Sequence, residues 1–172
     1  FNAGSAHGLA KFLDHPLDQF LGLMRLNVET PARLANHFGK KMRERGGGAI
    51  IFLGSGAGSG GAANIAGYAA AKAYLTTLSE GLWHEFREDG IKLLCLILGL
   101  TRTPAMIRAG MKMDGGEFHA DDPDDVARTA FERLNDGPVQ EMDSIRAHVE
   151  SMRSMPRREV VEQLSRSTAA LV

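Results

Sequence analysis

Two short apolar runs bracket a long helical pattern, and that order constrains the fold more than any other feature of the chain. The first run, Ala49 to Leu53, lies between Gly46-Gly47-Gly48 and Gly54. The second, Ile91 to Leu98, is entered from Gly90 and left at Gly99. Neither run alternates apolar with polar residues, which is the pattern of strands covered on both faces of a parallel sheet. Between them Leu75, Leu78, Leu82 and Phe86 recur at spacings of three and four, and Gly90 supplies the stop. A strand, a helix and a second strand in this order pair in parallel through a right-handed crossover. The expected architecture is therefore α/β: a doubly wound parallel sheet in three layers, of the Rossmann type.

The flanking segments fit the same scheme. Leu17 to Arg45 is a helical stretch with Phe20, Leu21, Met24 and Val28 on one stripe, continued by Leu34 and Phe38 beyond Pro31. Helical hydrogen bonds run from residue i to i−4, so Pro31, which has no N–H, is expected to free the Asn27 carbonyl and kink the helix. Pro123-Asp124-Asp125 opens another helix, Asp136-Gly137 is a turn, and Val139 to Met142 is a short strand. Ser144 to Ala170 reads as helical, broken near Pro156. Phe1-Asn2-Ala3-Gly4 reads as a strand end running into a loop, so the chain is expected to begin inside a domain.

Composition narrows the function classes. The 172 residues are 44% hydrophobic and 24% charged, with a net charge of −1. That suits one globular domain and gives no electrostatic case for nucleic acid or an anionic membrane. The longest uncharged stretch, Gly46 to Ala71, is rich in Gly and Ser rather than in Leu and Ile, so no membrane span is expected. Cys95, the single cysteine, can form no internal disulfide and is expected to be a buried, inert thiol in a cytoplasmic protein. The six histidines lack metal-ligand spacing, and no metal site is expected.

The residues that carry chemistry cluster after the first strand. Tyr68 and Lys72 are four apart near the start of a helix, one turn apart on one face. An ammonium beside a phenol favours the phenolate, which a tyrosine needs to act as an acid or base near neutral pH. Ser55 lies thirteen residues before Tyr68, just past the C-terminal end of a parallel strand, where open α/β sheets hold their ligands. The run Gly56-Ala57-Gly58-Ser59-Gly60-Gly61 satisfies the dinucleotide pattern G-x-G-x-x-G. The helix is expected to open several residues later, and Glu80 falls inside it, so the run reads as a loop beside Ser55.

Taken in order, these residues resemble the short-chain dehydrogenase/reductase family. Asn2-Ala3-Gly4 resembles the family's Asn-Asn-Ala-Gly segment, with Phe1 in place of the first asparagine. Leu26-Asn27-Val28 resembles its helical asparagine motif. Gly54-Ser55 and Tyr68-Ala69-Ala70-Ala71-Lys72 resemble its serine and Tyr-x-x-x-Lys motifs. Gly99-Leu100-Thr101-Arg102-Thr103 resembles its Pro-Gly-x-Val-x-Thr segment, with Leu98 and Thr101 in place of Pro and Val. Pro123 to Ala127 resembles a helix start common in the family.

The resemblance spans residues 1 to 142 and implies that residues 1–172 are the C-terminal two-thirds of one Rossmann-fold domain, with the glycine-rich pyrophosphate loop upstream. Residues 104–122 would be a substrate lid and 144–172 a C-terminal helical segment. The resemblance also implies hydride transfer between NAD or NADP and an alcohol or carbonyl substrate. Tyr68 would exchange the proton, Ser55 would hold the substrate oxygen, Lys72 would lower the tyrosine pKa and bond the nicotinamide ribose, and Asn27 would hold a relay water. Asn2, Ala3, Gly4, Tyr68, Lys72, Gly99, Thr101 and Thr103 would contact the cofactor.

Ala62, Ala63, Ile65, Met106, Ile107, Met111 and Met113 point to a fairly apolar substrate, and His119 to a surface position. A homodimer or homotetramer is implied through the long helices. The alternative is a catalytically silent scaffold acting in oligomerisation or partner binding.

Overall fold

The computed structural model describes residues 1–2, 10–108 and 119–169. Among these, helices α1 (Leu17–Met24) and α2 (Thr30–Glu44) precede strand β1 (Gly48–Leu53). Helix α3 (Ala66–Phe86) leads to β2 (Ile91–Ile97). Helices α4 (Pro104–Arg108) and α5 (Pro123–Glu132), strand β3 (Val139–Glu141) and helices α6 (Asp143–Ser154) and α7 (Arg157–Ala169) follow. The strands form one parallel sheet in the order β1-β2-β3, with Gly48 opposite Ile91 and Cys95 opposite Val139. The strand–helix–strand expectation holds, with flanking helices over a parallel sheet. None of the described helices is long and apolar enough to cross a membrane.

β2 is the centre of the core. Leu93, Leu94, Cys95 and Leu96 are all buried, as the unbroken apolar run requires of a strand covered on both faces. β1 differs from its expectation. Ile50 and Phe52 are buried, but Ile51 and Leu53 are only partly so. The Phe1 amino group donates to the Ile51 carbonyl at 2.5 Å, and the Phe1 ring packs 5.4 Å from that of Phe52. The chain start thus lies beside β1, although Phe1 and Asn2 belong to no strand.

The triple glycine ends α2 by backbone conformation. Gly46 adopts φ +81°, where a side chain is strained, and the Gly47 N–H bonds the Met42 carbonyl at 2.8 Å.

The path from Leu17 to Glu44 stays helical, but the hydrogen-bond register changes before Pro31. Arg25–Glu29 is a π-helical turn in which the Thr30 N–H bonds the Arg25 carbonyl, five residues back. Pro31 then sits in the first turn of α2, where its missing N–H costs least. The wide register is seen at Thr30, the residue before Pro31, which itself has no N–H to offer the Asn27 carbonyl. Pro31 is accommodated by the extra residue of a π-bulge, a feature that sequence periodicity does not reveal.

The loop after β1 is held against α3 by close backbone approach. A Cβ at Gly58 would stand 2.9 Å from the Ala73 nitrogen and 2.9 Å from the Lys72 carbonyl carbon. Helix backbone cannot yield, so Gly58→Ala is expected to cost about 1–3 kcal/mol. Chemical denaturation should show a lower midpoint; an unchanged midpoint would mean that the loop stands clear of α3.

Candidate active site

Parallel strands deliver their C-terminal ends to one edge, and β1 and β2 both end there. Gly54 and Gly56 continue the pairing as their N–H groups bond the carbonyls of Leu96 (2.8 Å) and Leu98 (2.9 Å). Gly54 is required by contact as well as by position, since a Cβ would lie 2.5 Å from Ile97 Cδ1 and 3.0 Å from Cys95 Sγ. Ser55 follows in extended conformation, and its Oγ accepts from the Ala57 N–H at 3.3 Å, capping a 3-10 turn at Gly56–Ser59. The G-x-G-x-x-G run is thus a turn and a loop, with α3 opening only at Ala66.

α3 places Tyr68 and Lys72 on successive turns. The Ser55 side chain lies close enough to the Tyr68 phenol to favour its ionised form. The Lys72 ammonium stands 5.6 Å from the centre of the Tyr68 ring and donates to the Leu53 carbonyl at 2.8 Å. Three groups, one from the loop after β1 and two from the start of α3, therefore gather at one end of β1.

Burial governs their protonation. It raises the Tyr68 phenol above its ordinary value, and the Ser55 side chain pulls the other way. It lowers the Lys72 ammonium, and the neighbouring Cys95 opposes the shift only in part. Cys95 is fully buried under α3, and its thiol is pushed up by burial despite hydrogen bonds with Ser79, Thr76 and Gly54. The expected depression of the tyrosine by Lys72 is not what sets its direction: burial raises the phenol, and Ser55 opposes it.

Asn27 is buried in the π turn, which packs against α3, and its Nδ2 donates to the Leu23 carbonyl at 3.1 Å. Gly99, Thr101 and Thr103 follow β2. Thr101 pairs with Asp121 in an isolated parallel bridge, and the Thr103 hydroxyl accepts from the Met106 N–H at 3.3 Å, starting α4. The Thr101 hydroxyl is buried with no hydrogen-bond partner among the described residues. Such a group is costly unless a ligand meets it, so this edge fits the polar nicotinamide end of a dinucleotide. Asn2 is exposed; Ala3, Gly4, Met111 and Met113 lie outside the described residues.

Two features of the site were not foreseen. A mainly apolar cleft borders Tyr68 and is lined by Phe12, His15, Phe20, Leu23 and Ile65. Gly67 admits the Phe20 ring, since a Cβ there would lie 2.6 Å from it. Of the three residues assigned to the pocket beside Ser55, only Ile65 borders this cleft. Ala62 instead packs against Met152, Val160 and Leu164 of the C-terminal helices, and Ala63 is exposed. His119 is exposed as expected.

Comparison with known proteins agrees with this fold. The chain is 29% identical over 128 residues to a 7beta-hydroxysteroid dehydrogenase of Clostridium sardiniense, covering 74% of this chain and 49% of that protein. A solved 7beta-hydroxysteroid dehydrogenase shares the fold at a TM-score of 0.80 and 21% identity, over 92% of this chain and 62% of that one. A short-chain dehydrogenase from Sphingobium yanoikuyae in complex with NADPH matches at 0.69 and 26% identity, over 90% of this chain and 64% of that one. The chain spans about half the length of the curated 7beta-hydroxysteroid dehydrogenases it matches. The family model described as short chain dehydrogenase matches residues 1–114. With Ser55, Tyr68 and Lys72 gathered at the strand edge, the chain belongs to the short-chain dehydrogenase family.

Proposed function

We propose that this chain carries the catalytic part of an NAD(P)-dependent oxidoreductase acting on a secondary alcohol or ketone. The convergence of Ser55, Tyr68 and Lys72 at the end of β1 carries this reading, because it joins a proton donor, an oxygen-holding hydroxyl and a cation. When bound, NAD or NADP supplies or accepts the hydride. Ser55 holds the substrate oxygen. Tyr68 gives that oxygen a proton in the reducing direction and takes it back in the oxidising one. Lys72 stabilises the phenolate so formed, and Asn27 supports proton return through water. Asn2, Tyr68, Lys72, Gly99, Thr101 and Thr103 would hold the nicotinamide end; Ala3, Gly4 and residues 109–118 of the expected lid lie outside the described residues.

The cleft beside Tyr68, about 40 Å³, offers the substrate an apolar wall rather than a full pocket. Phe12, Phe20, Leu23 and Ile65 offer apolar walls with one imidazole among them, and the similarity to 7beta-hydroxysteroid dehydrogenases points the same way. The protein works as a homodimer or homotetramer in this reading; Leu17 and Leu21 of α1 are 61% and 41% exposed, an apolar face for a second copy to cover.

The test is oxidation of NADH and NADPH by the full-length protein across a ketone panel, from small acyclic ketones to steroids. Turnover should favour the bulky apolar members. A folded protein that turns over none of them with either nucleotide would overturn the assignment.

A further inference from the structure

The loop from Gly54 to Ile65 joins Ser55 to the helix bearing Tyr68, and glycine occupies positions 54, 56, 58, 60 and 61. Such a chain loses much conformational freedom when ordered. A serine and a tyrosine that must meet one substrate oxygen need that loop fixed from outside. α7 grips it at three points. The Arg157 guanidinium donates to the Ser59 carbonyl at 2.7 Å. The Ser165 hydroxyl accepts from the Ala63 N–H at 2.9 Å and donates to the Val161 carbonyl at 2.7 Å, which sets its direction. Between them Gly60 lies so close that a Cβ would come within 2.6 Å of Val160 Cγ1, and Ala62 is buried among Met152, Val160 and Leu164.

We infer that α7 is a clamp on the catalytic loop, and that Arg157 and Ser165 are positioning residues for Ser55 and Tyr68 in the oxidoreductase proposed above. Arg157 acts four residues after Ser55, and Ser165 acts five residues before Tyr68. Neither touches the reacting atoms; each fixes backbone on one side of the pair. α6 supports the same loop, since a Cβ at Gly56 would meet Ile145 Cδ1 at 2.6 Å.

The test uses the full-length protein. Arg157→Ala and Ser165→Ala should each lower kcat about tenfold, with the KM for cofactor almost unchanged, because misplacement harms the reacting geometry rather than nucleotide binding. Arg157→Lys should restore much of the loss. Arg158→Ala, on the same helix and paired outward with Glu162, should retain wild-type kcat.

A second readout separates positioning from stability. With fluorotyrosine incorporated at position 68 alone, fluorine NMR titration follows Tyr68 in the full-length protein. Loosening the loop changes both the burial of the Tyr68 phenol and its contact with Ser55, so the titration of Tyr68 should move away from its wild-type position. Wild-type kcat and titration in both alanine variants would overturn the inference. So would a loss of kcat that tracks thermal stability across all variants, Arg158→Ala included, with the titration unmoved. If the wild type turns over no ketone but the titration shifts as expected, the clamp stands and the oxidoreductase reading falls.

Discussion

Replacing Tyr68 with phenylalanine is expected to lower turnover by about 10²–10⁴-fold, the range typical of a positioned acid–base group. The change removes one hydroxyl, beside Ser55, and leaves the ring to pack as before. Thermal midpoint and cofactor affinity should stay close to wild type, so the loss falls on kcat. The pH dependence follows from the direction of the Tyr68 shift. Burial raises the phenol above its ordinary value, so it is protonated throughout the neutral range in the cofactor-free site. Ketone reduction uses that proton and should be flat through neutral pH, falling only as the phenol ionises. Alcohol oxidation needs the phenolate and should climb with pH over the same range. A Tyr68→Phe enzyme with wild-type kcat, or an oxidation rate indifferent to pH, would remove Tyr68 from the mechanism.

Lys72→Ala should be the next most damaging change, again by about 10²-fold or more in kcat. Two interactions are lost together. The cation 5.6 Å from the Tyr68 ring no longer stabilises the phenolate, and the donor to the Leu53 carbonyl disappears from the end of β1. Lys72→Arg keeps the charge but brings a planar fork in place of a compact ammonium, so it should recover only part of the activity. Because Lys72 also holds the nicotinamide ribose in the proposed site, cofactor affinity should weaken in Lys72→Ala while it holds in Tyr68→Phe. Fluorescence titration with NADPH distinguishes the two variants. Equal affinity in both would confine Lys72 to the proton chemistry, and wild-type kcat in Lys72→Ala would exclude it from the mechanism.

Much of the site was legible because its parts repeat locally. Ser55 could be placed at a strand end because Ala49 to Leu53 is apolar and flanked by glycine. Tyr68 and Lys72 could be placed on one face because a helix brings residues four apart together. The proposed cofactor edge after β2 was read from Gly99 to Thr103, although Thr101 itself departs from the family's usual residue. The cleft lined by Phe12 and Phe20 was not legible, since the aromatic stripe on α1 looks like ordinary helix packing and nothing local shows that Gly67 lets it approach Tyr68. Ala62 was assigned to the wrong surface for the same reason, as its neighbours come from about a hundred residues later in the chain.

By itself the sequence determined the element order, the parallel crossover and the identity of the chemical groups at the end of β1. These follow from hydrophobic period and short spacings, which are properties of the chain read a few residues at a time. Tertiary structure alone decided what those groups touch. Lys72 meets the Leu53 carbonyl, the loop after Ser55 is tied to Arg157 and Ser165, and the helix before Pro31 takes up an extra residue in a π turn. Lys72 and Arg157 bond to main-chain carbonyls and Ser165 accepts from a main-chain N–H. Every residue carries a carbonyl and all but proline an N–H, so no side-chain pattern marks which ones will be used. Only the closing of the chain brings a donor and an acceptor within reach, and in the π turn only packing against α3 selects between two hydrogen-bond registers that the same residues could adopt.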